Sequence, residues 1–316
     1  MSKNIIQIAD EIIKPGSRKR LELPVARLPT QTMLSLPVIA INGIESGPKL
    51  WLSAAIHGDE VNGVEIIRQV LEKVDAKQLR GTLIAVPIVN VFGFIEQSRY
   101  LPDRRDLNRS FPGSSGGSLA GRLARLFIKE IVSKSTHGID LHTGAVHRIN
   151  LPQIRANLND DETYSLASTF GTSVIIHSST RDGSLRQAAT AIGKPVLLYE
   201  AGEALRFDRD AIEFGVKGVL RVMAKLNMYP GPFNETENLP IEIRQTKWMR
   251  SPRSGILRLH VGLGDRVEKK QQLGIISDAF GDTNIKIKAS INGIVIGHVQ
   301  NPLVNQGDAI VHLAAI

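Results

Sequence analysis

The sequence predicts an α/β protein in two parts: a three-layer α/β/α domain on a mixed sheet over residues 1–235, then a small all-β domain over 236–316. Three observations carry this. At 316 residues the chain exceeds the usual size of one domain, so two are expected. Strand-like apolar runs alternate with helix-period segments as far as Met228. After the Pro-, Asn- and Glu-rich stretch MYPGPFNETENLP no helical period returns.

Taken in order, KRLELPVARL, MLSLPVIAING and PKLWLSAAI alternate or run apolar between turn signals, which predicts a β-rich entry whose last strand runs to His57. NGVEIIRQVLEKV places Val64, Ile67, Val70, Leu71 and Val74 at helical spacing, with Asn62 as the expected cap. TLIAVPIVNV reads as a buried strand. SLAGRLARLFIKEIV reads as an amphipathic helix with Leu119, Leu123, Leu126 and Ile131 inward. GIDLH, TSVIIHS and KPVLLYEAG are further short strands, TRDGSLRQAATAIG is helix-like, and DRDAIEFGVKGVLRVMAKL closes the unit as a long helix. Ligands of such sheets sit beyond the carboxyl ends of strands.

The last 75 or so residues contain an internal repeat, GILRLHV at 255–261 and GIVIGHV at 293–299, each preceded by a turn and followed by a Gly-Asp pair. This pattern resembles the biotinyl/lipoyl-type barrel-sandwich hybrid fold. Carriers of that fold present a modifiable lysine on the hairpin between the halves. The corresponding DAFGDTN has none, and Lys286 follows it inside a strand-like run, so a non-carrier domain is expected. His260 and His298 occupy equivalent repeat positions and are read as structural.

Composition narrows the chemistry. Cysteine is absent, which excludes thiolate nucleophiles, disulfides and cysteine metal ligands; any metal site must use His, Asp and Glu. No stretch of about 18 apolar residues predicts a membrane span, and the start lacks an apolar leader core, so a cytoplasmic location is expected. The net charge of +8 comes from dispersed basic residues without a nucleic-acid-binding motif, which favours an anionic substrate pocket or a solvated surface over nucleic acid.

AAIHGDEVNG sets His57 and Glu60 three apart at a strand-to-helix turn, a spacing that lets an imidazole and a carboxylate meet one ion. GIDLHTG brings His142 to the end of another strand. His57, Glu60 and His142 are then a three-ligand set of the kind catalytic zinc sites use, with one open position for water. Arg99, Asn108 and Arg109, in SRYLPDRRDLNRSFPG, are candidates to clamp a carboxylate. VLLYEAGE puts Glu200 at a third strand end, within reach of the reacting water as general base. Glu203, His147 and His177 read as loop or core residues.

H-x-x-E, D-L-N-R, D-L-H and E-x-G in this order resemble the succinylglutamate desuccinylase/aspartoacylase family, itself related to zinc carboxypeptidases of the carboxypeptidase A type. The motifs run from His57 to Gly202, and one branch of the family carries a C-terminal β-domain like the repeat above. The resemblance implies one zinc ion per chain on His57, Glu60 and His142, with Asp106 orienting His57. It implies Asn108 and Arg109 on the substrate carboxylate, Arg99 on the scissile carbonyl and its oxyanion, and Glu200 as proton shuttle from water to leaving amine. Arg186, in GSLRQA, stands where the family places another substrate-contacting arginine. The Arg99–Asn108 stretch is slightly longer than in aspartoacylase, which leaves Arg104 and Arg105 as alternatives to Arg99. Tyr229, the last tyrosine, falls in the linker, so specificity for acetyl-aspartate does not transfer. The expected activity is zinc-dependent hydrolysis of a small anionic N-acyl amino acid or similar amide, by a protein free to form a homo-oligomer. Its rivals are a peptide carboxypeptidase and a non-catalytic binding scaffold.

Overall fold

A computed structural model describes residues 5–231 and 239–316. The expected break at 235/236 and part of the Pro-rich linker lie outside the described residues. A mixed sheet of 13 strands forms the backbone of the molecule, joined at its C-terminal end by a four-stranded antiparallel sheet.

At the centre of the large sheet the strands Glu45–Ala54, His137–Gly144 and Val196–Glu203 run parallel, so their carboxyl ends share one rim. Alternation divides their side chains between two cores. Leu50, Leu52, Ile139 and Leu141 face the helices Asn62–Lys73, Asp161–Phe170 and Arg209–Lys225. Trp51, Ile84 and Val86 face the helices Leu119–Glu130 and Leu185–Thr190. The result is the three-layer α/β/α arrangement expected.

Several local expectations change. The strand entering the HGDE turn ends at Ala54, and Ala55 takes a left-handed φ of 50°. That conformation costs an alanine about 1–2 kcal/mol, and it is held by the Val89 and Asn90 amides donating to the Ala54 and Ala55 carbonyls. Asn62 is not a cap. Val61 holds the cap position without a side-chain bond, and the Asn62 side chain spans the rim, accepting from the Asp208 amide and donating to the Ala201 carbonyl. TLIAVPIVNV is a strand only over Arg80–Val86, after which the chain turns into the short helix Val91–Ile95. Leu119 and Leu126 are only partly buried, and the inward face of that helix is Ala120, Leu123, Ala124 and Phe127. The helix-like TRDGSLRQAATAIG shortens to Leu185–Thr190.

Two elements not foreseen matter most: the helix Asp161–Phe170 and the strand Arg148–Ala156. The strand sits beside Val196–Glu203. Its outer edge pairs first with Gly293–Val299, through Asn150 and Gly297, and then with Val174–His177. It therefore stitches the C-terminal strands onto the rim formed by the parallel strand ends.

In the C-terminal region GILRLHV lies in the four-stranded sheet and GIVIGHV in the large one, and the two halves close over Leu257, Leu273, Ile276, Val295, Val311 and Leu313. In the intervening DAFGDTN turn the Asp278 carboxylate accepts from the amides of Phe280, Gly281, Asp282 and Thr283.

Candidate metal centre and substrate cavity

The HGDE turn is compact because of two glycines. A side chain on Gly58 would collide with the Gly93 backbone at 2.0 Å, and one on Gly63 would meet the Cβ atoms of Ala54 and Leu141 at 2.7 Å. Glycine at both places lets turn and helix settle against the strand ends and drives His57 and Glu60 inward, where they are 4% and 2% exposed.

One potential ligand atom from each of His57, Glu60 and His142 lies within 4.8 Å of the others. Each Nδ1, of His57 and of His142, is 2.7 Å from a different oxygen of Glu60. Both imidazoles are anchored from behind: His57 Nε2 lies 3.2 Å from Asp106 Oδ1, and His142 Nε2 lies 2.8 Å from Asp140 Oδ2. Asp140 also accepts from Ser53 Oγ at 2.8 Å, and Asp106 from Arg99 Nη2 at 2.9 Å. Paired this way, each imidazole turns Nδ1 toward the shared centre and commits Nε2 to a carboxylate, the orientation in which carboxylates steer metal-binding histidines.

The electrostatics follow the geometry. Burial alone would push His57 and His142 down, but carboxylates on both sides outweigh it and raise both proton affinities. Burial would raise Glu60, yet the two histidines hold its carboxyl well below the usual range. Asp106 is held down likewise by His57 and Arg99. Asp59 differs: burial and the neighbouring Glu60 charge raise it, and its Oδ1 finds no hydrogen-bond partner among the described residues. The set prefers positive charge at its focus, and two imidazoles with one carboxylate suit a borderline cation such as zinc.

From this centre a cavity of about 390 Å³ opens. His57, Glu60, Arg99, Asn108, Arg109, His142, Arg186 and Glu200 all line it, while Asp106 stands behind His57 and Arg99. Every candidate site residue of the sequence is thus brought together. Arg104 and Arg105 are exposed and outside the cavity, so that of these three arginines only Arg99 lines it. Glu200 is in register with His142, and its Oε2 accepts from Asn150 Nδ2 at 2.9 Å and lies 3.3 Å from Arg155 Nε. Asn108 has a structural task as well, since its Oδ1 accepts from the Leu185 amide. Arg186 is 8% exposed, donates to Ser178 and Ser179, and leaves Nη1 without a partner; burial and the nearby Arg155 charge lower its proton affinity to about 10.

The sequence motif D-L-H includes Asp140, but its role as the anchor of His142 was not foreseen, although strand alternation puts both on one face. Sequence reasoning missed Arg148, Asn150 and Arg155, which come from the unforeseen strand, and Thr246, Trp248 and His312 from the C-terminal region. Tyr229 is elsewhere, hydrogen-bonded to the Lys73 carbonyl. His177 accepts from the Leu158 amide, His260 meets Gln272, and His298 bonds the Val299 carbonyl; none of them, nor His147, lines the cavity.

The sequence and the fold both have counterparts among known proteins. Residues 46–226 match the succinylglutamate desuccinylase/aspartoacylase catalytic domain. An N-alpha-acetyl-L-2,4-diaminobutyric acid deacetylase from Halomonas elongata is 24% identical over 294 residues, covering 89% of this chain and 86% of that protein. The product-bound ectoine utilization protein EutE (DoeB) from Ruegeria pomeroyi superposes with a TM-score of 0.87 at 22% identity over 100% of both chains. A succinylglutamate desuccinylase/aspartoacylase from Rhodobacter sphaeroides does so at 0.86 and 21% identity over 98% of each. Among the described residues, no helix is long and apolar enough to cross a membrane.

Proposed function

Because the chain belongs to the succinylglutamate desuccinylase/aspartoacylase family, we propose that it is a zinc-dependent deacylase that hydrolyses the amide of a small N-acyl amino acid. The observation that carries this reading is the pair of anchored imidazoles converging with Glu60 on one point, beside a cavity of about 390 Å³ that also holds Glu200. His57, Glu60 and His142 would hold one zinc ion. When bound, such an ion lowers the pKa of its water to about 7 and polarises a carbonyl oxygen.

The chain's own residues do the rest. Asn108 and Arg109 take the substrate carboxylate, a guanidinium fork matching its two oxygens, and so fix the scissile bond at the rim. Among the described residues, Glu200 is the only carboxylate lining the cavity that is not already committed to an imidazole. It removes the proton from the attacking water and returns it to the departing amine nitrogen. Arg99, backed by Asp106, faces the oxygen on which negative charge develops. Thr246, Trp248 and His312, from the C-terminal region, also line the cavity, which favours small amides over polypeptides. Residues 1–235 act as the hydrolase unit and 236–316 as the covering β-domain.

Metal analysis with a hydrolysis panel tests this. The expected result is one zinc per chain, loss of activity with chelator, and release of free amine from N-acyl amino acids. A purified chain without stoichiometric metal, or one that only trims peptides, would refute it.

A further inference from the structure

Among the described residues, Gln153 alone has both polar side-chain atoms buried without a partner. It is 0% exposed, and neither Oε1 nor Nε2 makes a hydrogen bond. A buried amide left this way is costly, and a methionine of similar length would fill the same place without that penalty.

Its neighbours differ sharply on the two sides. Gln153 lies directly opposite Glu200 across the antiparallel pair, which puts both side chains on one face with Cβ atoms about 5 Å apart. Asn150 and Arg155, on the same strand, reach the Glu200 carboxylate at a single oxygen: Asn150 Nδ2 is 2.9 Å and Arg155 Nε 3.3 Å from Oε2. Arg155 Nε makes an ion pair there but no hydrogen bond, so it too lacks an acceptor. On its other side Gln153 pairs with Val174, which packs among Ile243, Ile294 and Ile296 and brings no polar side chain. The unused amide thus stands between a hydrocarbon wall and Glu200, with Arg155 two residues along on the same face.

A proton shuttle holds two charge states in turn. As a carboxylate, Glu200 suits Arg155 and Asn150. When a water O–H breaks and the proton settles on Glu200 Oε1, the side chain becomes neutral and Arg155 loses its counter-charge. Resting on the deacylase reading, we propose that Gln153 is a positioning residue for Glu200: while Glu200 is protonated, Gln153 Oε1 accepts from Arg155 Nε and Gln153 Nε2 donates to Glu200 Oε2. When the Oε1–H bond breaks and the proton passes to the leaving amine nitrogen, Arg155 returns to the carboxylate. An amide carries one acceptor and one donor group at the same end and no charge of its own, as this exchange requires.

The neutral state can be fixed by substitution, because Glu200→Gln is an uncharged isostere of protonated Glu200. In that protein Gln153 should already be engaged with Arg155; in the parent it is not. Denaturant unfolding of the full chain reads the difference: Gln153→Met should leave the midpoint of the parent unchanged or raised and should lower that of Glu200→Gln. A greater loss of midpoint in Glu200→Gln than in the parent supports the exchange, and an equal or smaller loss overturns it. Should Gln153→Met not fold, Gln153→Leu is read by the same criterion. With N-acyl amino acids, Gln153→Met should lower kcat about 10- to 100-fold and keep KM within about twofold. A kcat within about twofold of the parent, or a fall in kcat matched by a rise in KM, overturns the positioning role. If no N-acyl amino acid is cleaved by the parent, the deacylase reading fails, and the unfolding comparison alone decides whether Gln153 and Arg155 exchange.

Discussion

Two groups of side chains lining the cavity are built on opposite principles. At the rim, the nitrogens of both histidines are committed, to Glu60 in front and to Asp106 or Asp140 behind. Elsewhere in its lining, the Arg155 Nε and Arg186 Nη1 atoms are buried without an acceptor, and no hydrogen bond reaches the His312 ring among the described residues. A chain of negative groups around two imidazoles favours a cation at its focus, whereas surplus donors favour an anion. The difference shows that charge alone does not define a site; which atoms are left unpaired does.

Breaking the rim should have the largest effect. His142→Ala removes one of three donors and leaves Glu60 and Asp140 facing a void, so stoichiometric metal and measurable turnover should both vanish, as read by metal analysis and amine release. Glu200→Gln leaves the three metal ligands in place: metal content should be unchanged while kcat falls about 10²- to 10⁴-fold. Full activity of that variant would remove Glu200 from the reaction. Asp140→Asn keeps the fit of His142 but weakens its anchor, and should cost about 10- to 100-fold in metal affinity, measured by competition with a chelator.

The smallest effect sharpens the other group. His312 is neutral when folded, with its pKa lowered to about 3 by burial and then by Arg155, while an unfolded histidine titrates near 6.5. The unfolded chain therefore binds a proton that the native one refuses, and stability falls as pH drops from about 6.5 toward 3, by at most about 1.4 kcal/mol per pH unit from this group. Denaturant titrations of His312→Gln should lack that component. Parallel pH profiles for the variant and the parent would show that His312 is not held neutral.

The fold class and the rim were legible for a physical reason. His57, Glu60, His142 and Glu200 each follow an apolar run that could only be a buried strand, and parallel strands put such ends side by side. Asp140 was read only as the first letter of D-L-H and given no role, although alternation puts it on the same face as His142. Arg155 was not legible. INLPQIRA contains Pro152 and interleaved polar residues, so its strand shows no clean period, and it is a strand because both its edges find partners. Asn62 was misread because a helix-cap residue and a cross-rim tie look identical in sequence.

Short-range pattern thus determined the elements, the ligand types and the order in which they arrive, because periodicity and turn chemistry act within about a dozen residues. Tertiary structure alone decided that Gly297 would lie against Asn150, and so that His312 and Trp248 would close a cavity begun at His57. Strand pairing across that separation is set by which edges remain open once the sheet has formed, and no local window of residues contains that information.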